Sequence, residues 1–166
     1  MKKIVSFLLT LCIVVGGLNI CGVSVSAAET YPTIISVSAD DVIKMPSEPV
    51  ELPSDVTRAS APQVTKLEYF DSGIIEGTDH FGVVIKVTGY GNDYKRAYWD
   101  DTQLTINDKS LYGYWVGADN KTVIAFAYLY DCGPVTEAGV HTFKTTYTST
   151  NSPYTQKSIS LDFLFE

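Results

Sequence analysis

The stretch FGVVIKVTGYGN at residues 81–92 decides the fold. Its side chains alternate in character at a period of two, which is typical of a half-buried β-strand. The stretch ends on Gly89 and Gly91, which accept backbone angles that other residues avoid. We therefore predict a strand that turns sharply at a glycine corner and contributes one face to the core. That face carries Val83, Ile85 and Val87, and the opposite face carries Val84, Lys86 and Thr88.

The rest of the C-terminal region predicts more strands and no helix, because no segment shows sustained helical spacing. Residues 122–130 are the most apolar run, and both of their faces are apolar, so we predict a central strand covered on both sides. Residues 71–73 are predicted to form a turn and residues 131–139 a loop. This succession of short, turn-delimited runs predicts an all-β antiparallel sandwich of six to eight strands over residues 63–166. The other strands are expected at residues 64–70, 102–106, 111–116, 140–148 and 158–165.

Residues 1–28 have the pattern of a secretory signal peptide. Lys2 and Lys3 give a positive start, residues 4–15 are almost wholly apolar, and small residues precede a cleavage site after Ala27 or Ala28. An uncleaved N-terminal anchor is the alternative. The pattern predicts an extracellular protein exported by a Gram-positive-type signal peptide, with no membrane insertion after cleavage.

Residues 29–62 are rich in proline and acidic residues and predict an extended linker. Proline removes backbone donors, and the charges leave little surface to bury. Residues 31–38 (YPTIISVS) are the exception, because they could form a short strand that docks on the domain or remain part of the linker.

Charge and cysteine content restrict the partners and the source of stability. The formal net charge is −7, which disfavours binding to nucleic acid. Removal of residues 1–28 would leave Cys132 as the one cysteine. It cannot form an internal disulfide, so the apolar core must hold the domain together, and a Cys132-linked dimer is an alternative.

Two sets of segments in the sequence resemble known protein families. The stretch at residues 81–92 followed by AGVHTFKTTY at residues 138–147 resembles bacterial immunoglobulin-like domains of the IPT/TIG type. That resemblance implies an immunoglobulin-like topology for the sandwich. The segments GYGN at residues 89–92, AG at residues 138–139 and STNSP at residues 149–153 are similar to YolA-like secreted bacterial proteins. This second resemblance implies export and a β fold, and it supplies no catalytic residues.

Cys132 and His141 are the candidates for catalytic chemistry. A cysteine nucleophile needs a histidine to accept its proton, and His141 opens the strand after the loop that holds Cys132. The alternative is an inert buried thiol, which the acidic neighbours of Cys132 favour because they raise a thiol pKa. Two histidines and one cysteine without ligand spacing do not predict a zinc site.

Acidic loops are candidates for calcium, which takes oxygen ligands. No EF-hand spacing is present, so solvated acidic loops are the alternative, and no other cofactor is predicted. Adjacent Asp100 and Asp101 would diverge on a strand and make a poor glycosidase pair. The acidic candidates are Asp71, Glu76, Asp79, Asp93, Asp100 and Asp101.

Tyrosine and tryptophan crowd the middle of the domain and give the most informative signal. A sandwich core needs some of them, but alternation along the strands cannot bury them all. Exposed Tyr and Trp rings suit stacking on sugars or contact with a protein partner. The irregular segment after Gly91 is the expected platform. The candidate binding residues are Tyr90, Tyr94, Tyr98, Trp99, Tyr112 and Tyr114.

Together these patterns favour a secreted, non-catalytic binding module for a cell-surface polysaccharide or protein. The alternatives are a small extracellular enzyme that uses Cys132 with His141, and a structural or defensive secreted protein.

Overall fold

A computed structural model describes residues 34–38, 40–48, 50, 62–119 and 121–166. The predicted signal peptide lies outside these residues. All of the described residues belong to one compact unit, Tyr31–Glu166. Within them, the secondary structure is eleven β-strands and a single 3₁₀ turn, Ile106–Asp108.

The strands form two sheets, as an all-β sandwich requires. In spatial order, the first sheet contains β1 (Ile34–Val37), β11 (Gln156–Phe165), β10 (Gly139–Ser149), β6 (Ala97–Trp99) and β7 (Thr102–Gln103). A sixth short strand of this sheet, β5 (Gly91–Asn92), also pairs with β10. The second contains β2 (Val42–Ile43), β3 (Lys66–Ile75), β4 (His80–Thr88), β9 (Val123–Pro134) and β8 (Lys109–Val116).

The six long strands, β3, β4 and β8–β11, match runs predicted from the sequence. β7 takes up only Thr102 and Gln103 of the strand predicted at residues 102–106, because Ile106 already belongs to the 3₁₀ turn. β1 lies within residues 31–38, and β2, β5 and β6 are additional. Two other limits differ from the prediction. Residues 71–73 do not form a turn, because β3 continues through them after a bulge beyond Tyr69. β9 continues through residues 131–134 of the predicted loop and places Cys132 within the strand.

The core lies between the two sheets and is built on the predicted face of β4. Val83, Ile85 and Val87 are all buried there against residues of the first sheet, including Phe143 and Phe163. β9 is also buried on both faces, as predicted: Tyr130 joins the inter-sheet core, while Ala127 and Leu129 join a second apolar cluster on the outer side of the sheet. β9 lies between β4 and β8, one strand from the edge.

The glycine corner depends on a close approach of two backbones. Gly89 has φ +100°, and a Cβ at this position would lie 2.0 Å from the carbonyl oxygen of Gln63. No other residue fits that space, so the chain can leave β4 here only on glycine. The corner crosses from the second sheet to β5 in the first.

β1 and β2 are edge strands, one in each sheet. β1 follows the docking alternative for residues 31–38, whereas β2 lies in a segment that the sequence assigns to the linker. β1 pairs in parallel with β11, and β2 pairs in parallel with β3. These parallel pairs depart from the predicted antiparallel sandwich. Ile43 is 1% exposed and closes the second cluster over Val84.

We predict that Ile43→Ala lowers the free energy of unfolding by about 2–4 kcal/mol, because it opens a cavity in the second cluster. Neighbouring Val42 is 50% exposed, so Val42→Ala should change stability by less than about 1 kcal/mol. Urea unfolding followed by tryptophan fluorescence measures both. Equal, small effects would show that residues 34–43 add no stability to the domain.

Candidate functional site

The segment just beyond the glycine corner forms a tight turn that projects a tyrosine. Residues 93–96 close on a hydrogen bond of 2.7 Å from the Arg96 amide to the Asp93 carbonyl. The two central residues, Tyr94 and Lys95, have φ of 40° and 63°, in the left-handed region. Such turns favour asparagine and glycine, and a tyrosine here costs about 1–2 kcal/mol. Tyr94 is also 61% exposed, so burial of its ring does not offset this cost.

Tyr94 lies at the rim of a cleft of about 270 Å³. Ile106, from the 3₁₀ turn, is a second large exposed apolar residue of the lining. That turn has a capping box in which the Thr105 side chain accepts from the Asn107 amide and the Asp108 carboxylate accepts from the Thr105 amide. The cleft is lined by Asn92, Asp93, Tyr94, Lys95, Ala97, Leu104, Thr105, Ile106, Lys109 and Tyr130.

A buried polar network forms the base of the cleft. The Asp93 carboxylate oxygen Oδ2 accepts a hydrogen bond of 2.7 Å from the Tyr130 hydroxyl and lies 3.1 Å from the Lys109 Nζ. Tyr130 donates to Asp93, so Tyr147 donates the 2.7 Å bond that joins the two hydroxyls. Four elements meet here: the turn after β5, the start of β8, the middle of β9 and the end of β10.

The Lys109 ammonium is enclosed by aromatic rings. Its Nζ lies 4.2 Å from the centre of the Tyr128 ring, 4.7 Å from that of Tyr147 and 5.6 Å from that of Tyr130. Burial lowers the pKa of Lys109, and the Asp93 carboxylate opposes that effect only in part. Burial likewise raises the pKa of Tyr128 to about 12, and it raises the pKa values of Tyr130 and Tyr147 well above the ordinary value, so the three hydroxyls stay protonated.

The aromatic residues predicted after the glycine corner do not form one surface. Tyr94 is exposed at the cleft, whereas Tyr90 is half-buried and packs edge-on against Phe126, with ring centres 5.0 Å apart. Tyr98 is half-buried on β6. Trp99 is 8% exposed and belongs to the inter-sheet core, so its ring offers no open face to a ligand.

Tyr112 and Tyr114 lie on β8, the edge strand of the second sheet, and both are half-buried. Tyr112 packs against the exposed Phe70 at 6.4 Å, and Phe70 in turn meets Trp115 edge-on at 5.5 Å. The Lys86 Nζ covers the Trp115 ring at 4.3 Å. This group on the outer side of the second sheet is separate from the residues that line the cleft.

Cys132 and His141 lie in different sheets, on β9 and β10. Burial raises the pKa of the Cys132 thiol well above its ordinary value, and Asp131 adds to the effect. The His141 Nδ1 lies 2.5 Å from the Asp100 carboxylate and its Nε2 3.0 Å from the Glu137 carbonyl. Burial lowers the pKa of His141, but these bonds together raise it above its usual value. With both ring nitrogens engaged, His141 is not placed to accept a proton from the thiol.

The acidic candidates are distributed over separate contacts. Asp93 belongs to the buried network, Asp100 accepts from His141 and the Thr142 amide, and Asp101 pairs with Lys144 at 3.3 Å. Within residues 34–48, 62–119 and 121–166, as far as they are described, no three His, Cys, Asp or Glu side chains come together as a metal ion would require.

Sequence reasoning missed the combination of Asp93, Lys109, Tyr130 and Tyr147. These residues are scattered over 55 positions, and only folding of the two sheets brings them together. The one local signal is the capping box at residues 105–108, which marks the turn that places Lys109 at the start of β8.

Comparisons with protein-family models, with curated proteins and with solved structures returned no match for this chain. The described part of the chain also contains no helix with the length and apolar character needed to cross a membrane.

We predict that Cys132 reacts with an aromatic disulfide reagent at pH 8 at least about tenfold more slowly in the native protein than in denaturant, because burial disfavours its thiolate. The measurement requires protein that lacks residues 1–28, in which Cys132 is the one cysteine. Stoichiometric modification of the native thiol within seconds would contradict the buried placement.

Proposed function

We propose that this protein is a secreted, immunoglobulin-like binding module that binds a cell-surface glycan in the cleft beside Tyr94 and does no chemistry on it. The observation that carries the proposal is the exposed Tyr94 ring, held over the cleft by a backbone conformation that tyrosine disfavours. Strained residues of this kind concentrate at ligand sites, where the surrounding structure maintains them.

The chemistry of the cleft suits a sugar. An exposed tyrosine ring stacks on the apolar face of a pyranose, while its hydroxyl stays in water. Polar groups of Asn92 and Thr105 line the same cleft and can hydrogen-bond sugar hydroxyls. A volume of about 270 Å³ is just below the range of about 300–1,000 Å³ usual for ligand pockets, so it fits one sugar unit of a longer chain.

The predicted signal peptide and the acidic charge support the location of the ligand. An exported protein meets the polysaccharides of the cell surface. The full chain has a net charge of −7, and removal of Lys2 and Lys3 with the signal peptide makes it more acidic, which favours neutral or basic glycans over strongly anionic ones. The enzyme alternative has less support, because the Cys132 thiol is buried and His141 is already engaged at both nitrogens.

We predict that Tyr94→Gly weakens binding to insoluble cell-wall polysaccharide at least about tenfold, because it removes the stacking ring. The free energy of unfolding should change by less than about 1 kcal/mol, since glycine accepts φ of 40° and the lost side chain is exposed. Co-sedimentation with purified wall material gives the affinity, and urea unfolding gives the stability.

Tyr154→Gly is the matched control. Tyr154 has the same residue type, 60% exposure and φ of 55°, but it does not line the cleft. Retention of both variants at the wild-type level would refute a role for the cleft. Tyr94→Gly could instead lose binding to a surface protein while its binding to protein-free polysaccharide stays at the wild-type level. In that case the ligand would be a protein and not a glycan.

A further inference from the structure

We propose that the side chains of Lys109 and Asp93 become joined by an amide bond after the chain folds, making an intramolecular isopeptide cross-link between the two sheets. The proposal does not depend on glycan binding. It assigns a covalent modification to the base of the cleft, and it rests on the arrangement of four buried side chains.

The reacting groups of Lys109 and Asp93 are already in contact. The Lys109 Nζ and Asp93 Oδ2 are 3.1 Å apart, and the two side chains are only 12% and 10% exposed. Asp93 directly follows β5 of the first sheet, and Lys109 begins β8 of the second. Packing on both sides thus holds the amine against the carboxylate, which supplies the proximity that an uncatalysed condensation lacks.

The environment of the Lys109 amine favours its nucleophilic form. Three tyrosine rings surround the Lys109 Nζ at 4.2–5.6 Å. An ammonium group enclosed in this way loses much of its hydration, which favours its neutral, nucleophilic form. Burial lowers the pKa of Lys109, which raises the fraction of the nucleophilic amine.

The Tyr130 hydroxyl is a proton donor to the leaving oxygen, Asp93 Oδ2. The Tyr130 hydroxyl donates to Asp93 Oδ2 at 2.7 Å, and Tyr147 donates to Tyr130. The hydroxyl therefore touches the oxygen that has to leave, and it can stabilise the charge that develops there and pass a proton to it.

The step balances without any other reactant. The Lys109 nitrogen attacks the Asp93 carboxyl carbon, the carbon–nitrogen bond forms, and the bond from that carbon to Oδ2 breaks. Oδ2 leaves as one water molecule, with one proton from Tyr130 and one from the ammonium group. A second ammonium proton restores the Tyr130 hydroxyl, and the third stays on the amide nitrogen. The product is neutral, as the ion pair was, and water escapes through the open cleft.

The cross-link would supply a covalent tie between the sheets that no disulfide of the described residues provides. Cys132 is a free thiol, so the described residues contain no disulfide. An amide between residues 93 and 109 would tie the two sheets together in a way that reduction cannot reverse. Elsewhere, Lys144 and Asp101 lie 3.3 Å apart but are 50% and 89% exposed, without a tyrosine donor, so they provide a matched pair that should not react.

The test is mass spectrometry of the full-length expressed protein after denaturation. The intact mass, referred to the N-terminal residue found by peptide mapping, should lie about 18 Da below the sequence mass, which is the loss of one water. Reductive dimethylation under denaturing conditions should label Lys144 and leave Lys109 unlabelled. A proteolytic digest should contain a branched peptide that includes both residue 93 and residue 109.

Three variants identify the reaction. Lys109→Arg should restore the full sequence mass. Asp93→Asn should lose about 17 Da instead of 18, because the leaving group becomes ammonia. Tyr130→Phe removes the proton donor and should lower the cross-linked fraction at least about tenfold in freshly folded protein.

Wild-type protein that has the full sequence mass and a dimethylated Lys109 would overturn the proposal, whether or not any variant folds. A loss of water that persists in Lys109→Arg would overturn it as well, since the cross-link would then lie elsewhere.

Discussion

Burial of the inward face of β4 is the interaction on which the rest of the structure depends. Val83, Ile85 and Val87 pack between the sheets against aromatic side chains of β10 and β11. Each buried side chain of this kind contributes about 1.5–3 kcal/mol. Because the described residues contain no disulfide, this apolar layer must offset the entropy of ordering the chain. It also fixes where β4 ends, and hence where the glycine corner directs the segment that carries Tyr94.

The long strands could be predicted because their signal is local. Alternation along residues 81–88 identified both the strand and its inward face, and the doubly apolar run at residues 122–130 identified a strand buried on both faces. The short strands could not be predicted in this way. β2 has only two residues, and its pairing with β3 depends on a partner more than thirty positions away. Proline and acidic residues around it predict a linker, and tertiary contacts override that preference.

The sequence predicts the position of the candidate site better than it predicts which residues form it. The segment beyond Gly91 does hold the most exposed of the predicted aromatic residues, Tyr94. Trp99 was expected on the same platform, but β6 pairs with β10 and turns its ring into the core. A tryptophan can be placed only when the strand register is known, and that register comes from pairing across 44 positions, Phe143 with Trp99. The network of Asp93, Lys109 and Tyr130 also depends on strand register, because Lys109 lies opposite Tyr130 in the pairing of β8 with β9.

The parallel pairing of β1 with β11 has a mechanical consequence. Ile34 lies beside Asp162, and Val37 lies beside Phe165, so the two strands run in the same direction. Tension drawn between the chain before Ile34 and the chain after Phe165 would slide one strand along the other. The hydrogen bonds of the pair would then carry the load together and break together, whereas an antiparallel hairpin pulled from its open end parts one bond at a time. This edge of the sandwich therefore resists tension applied along its strands.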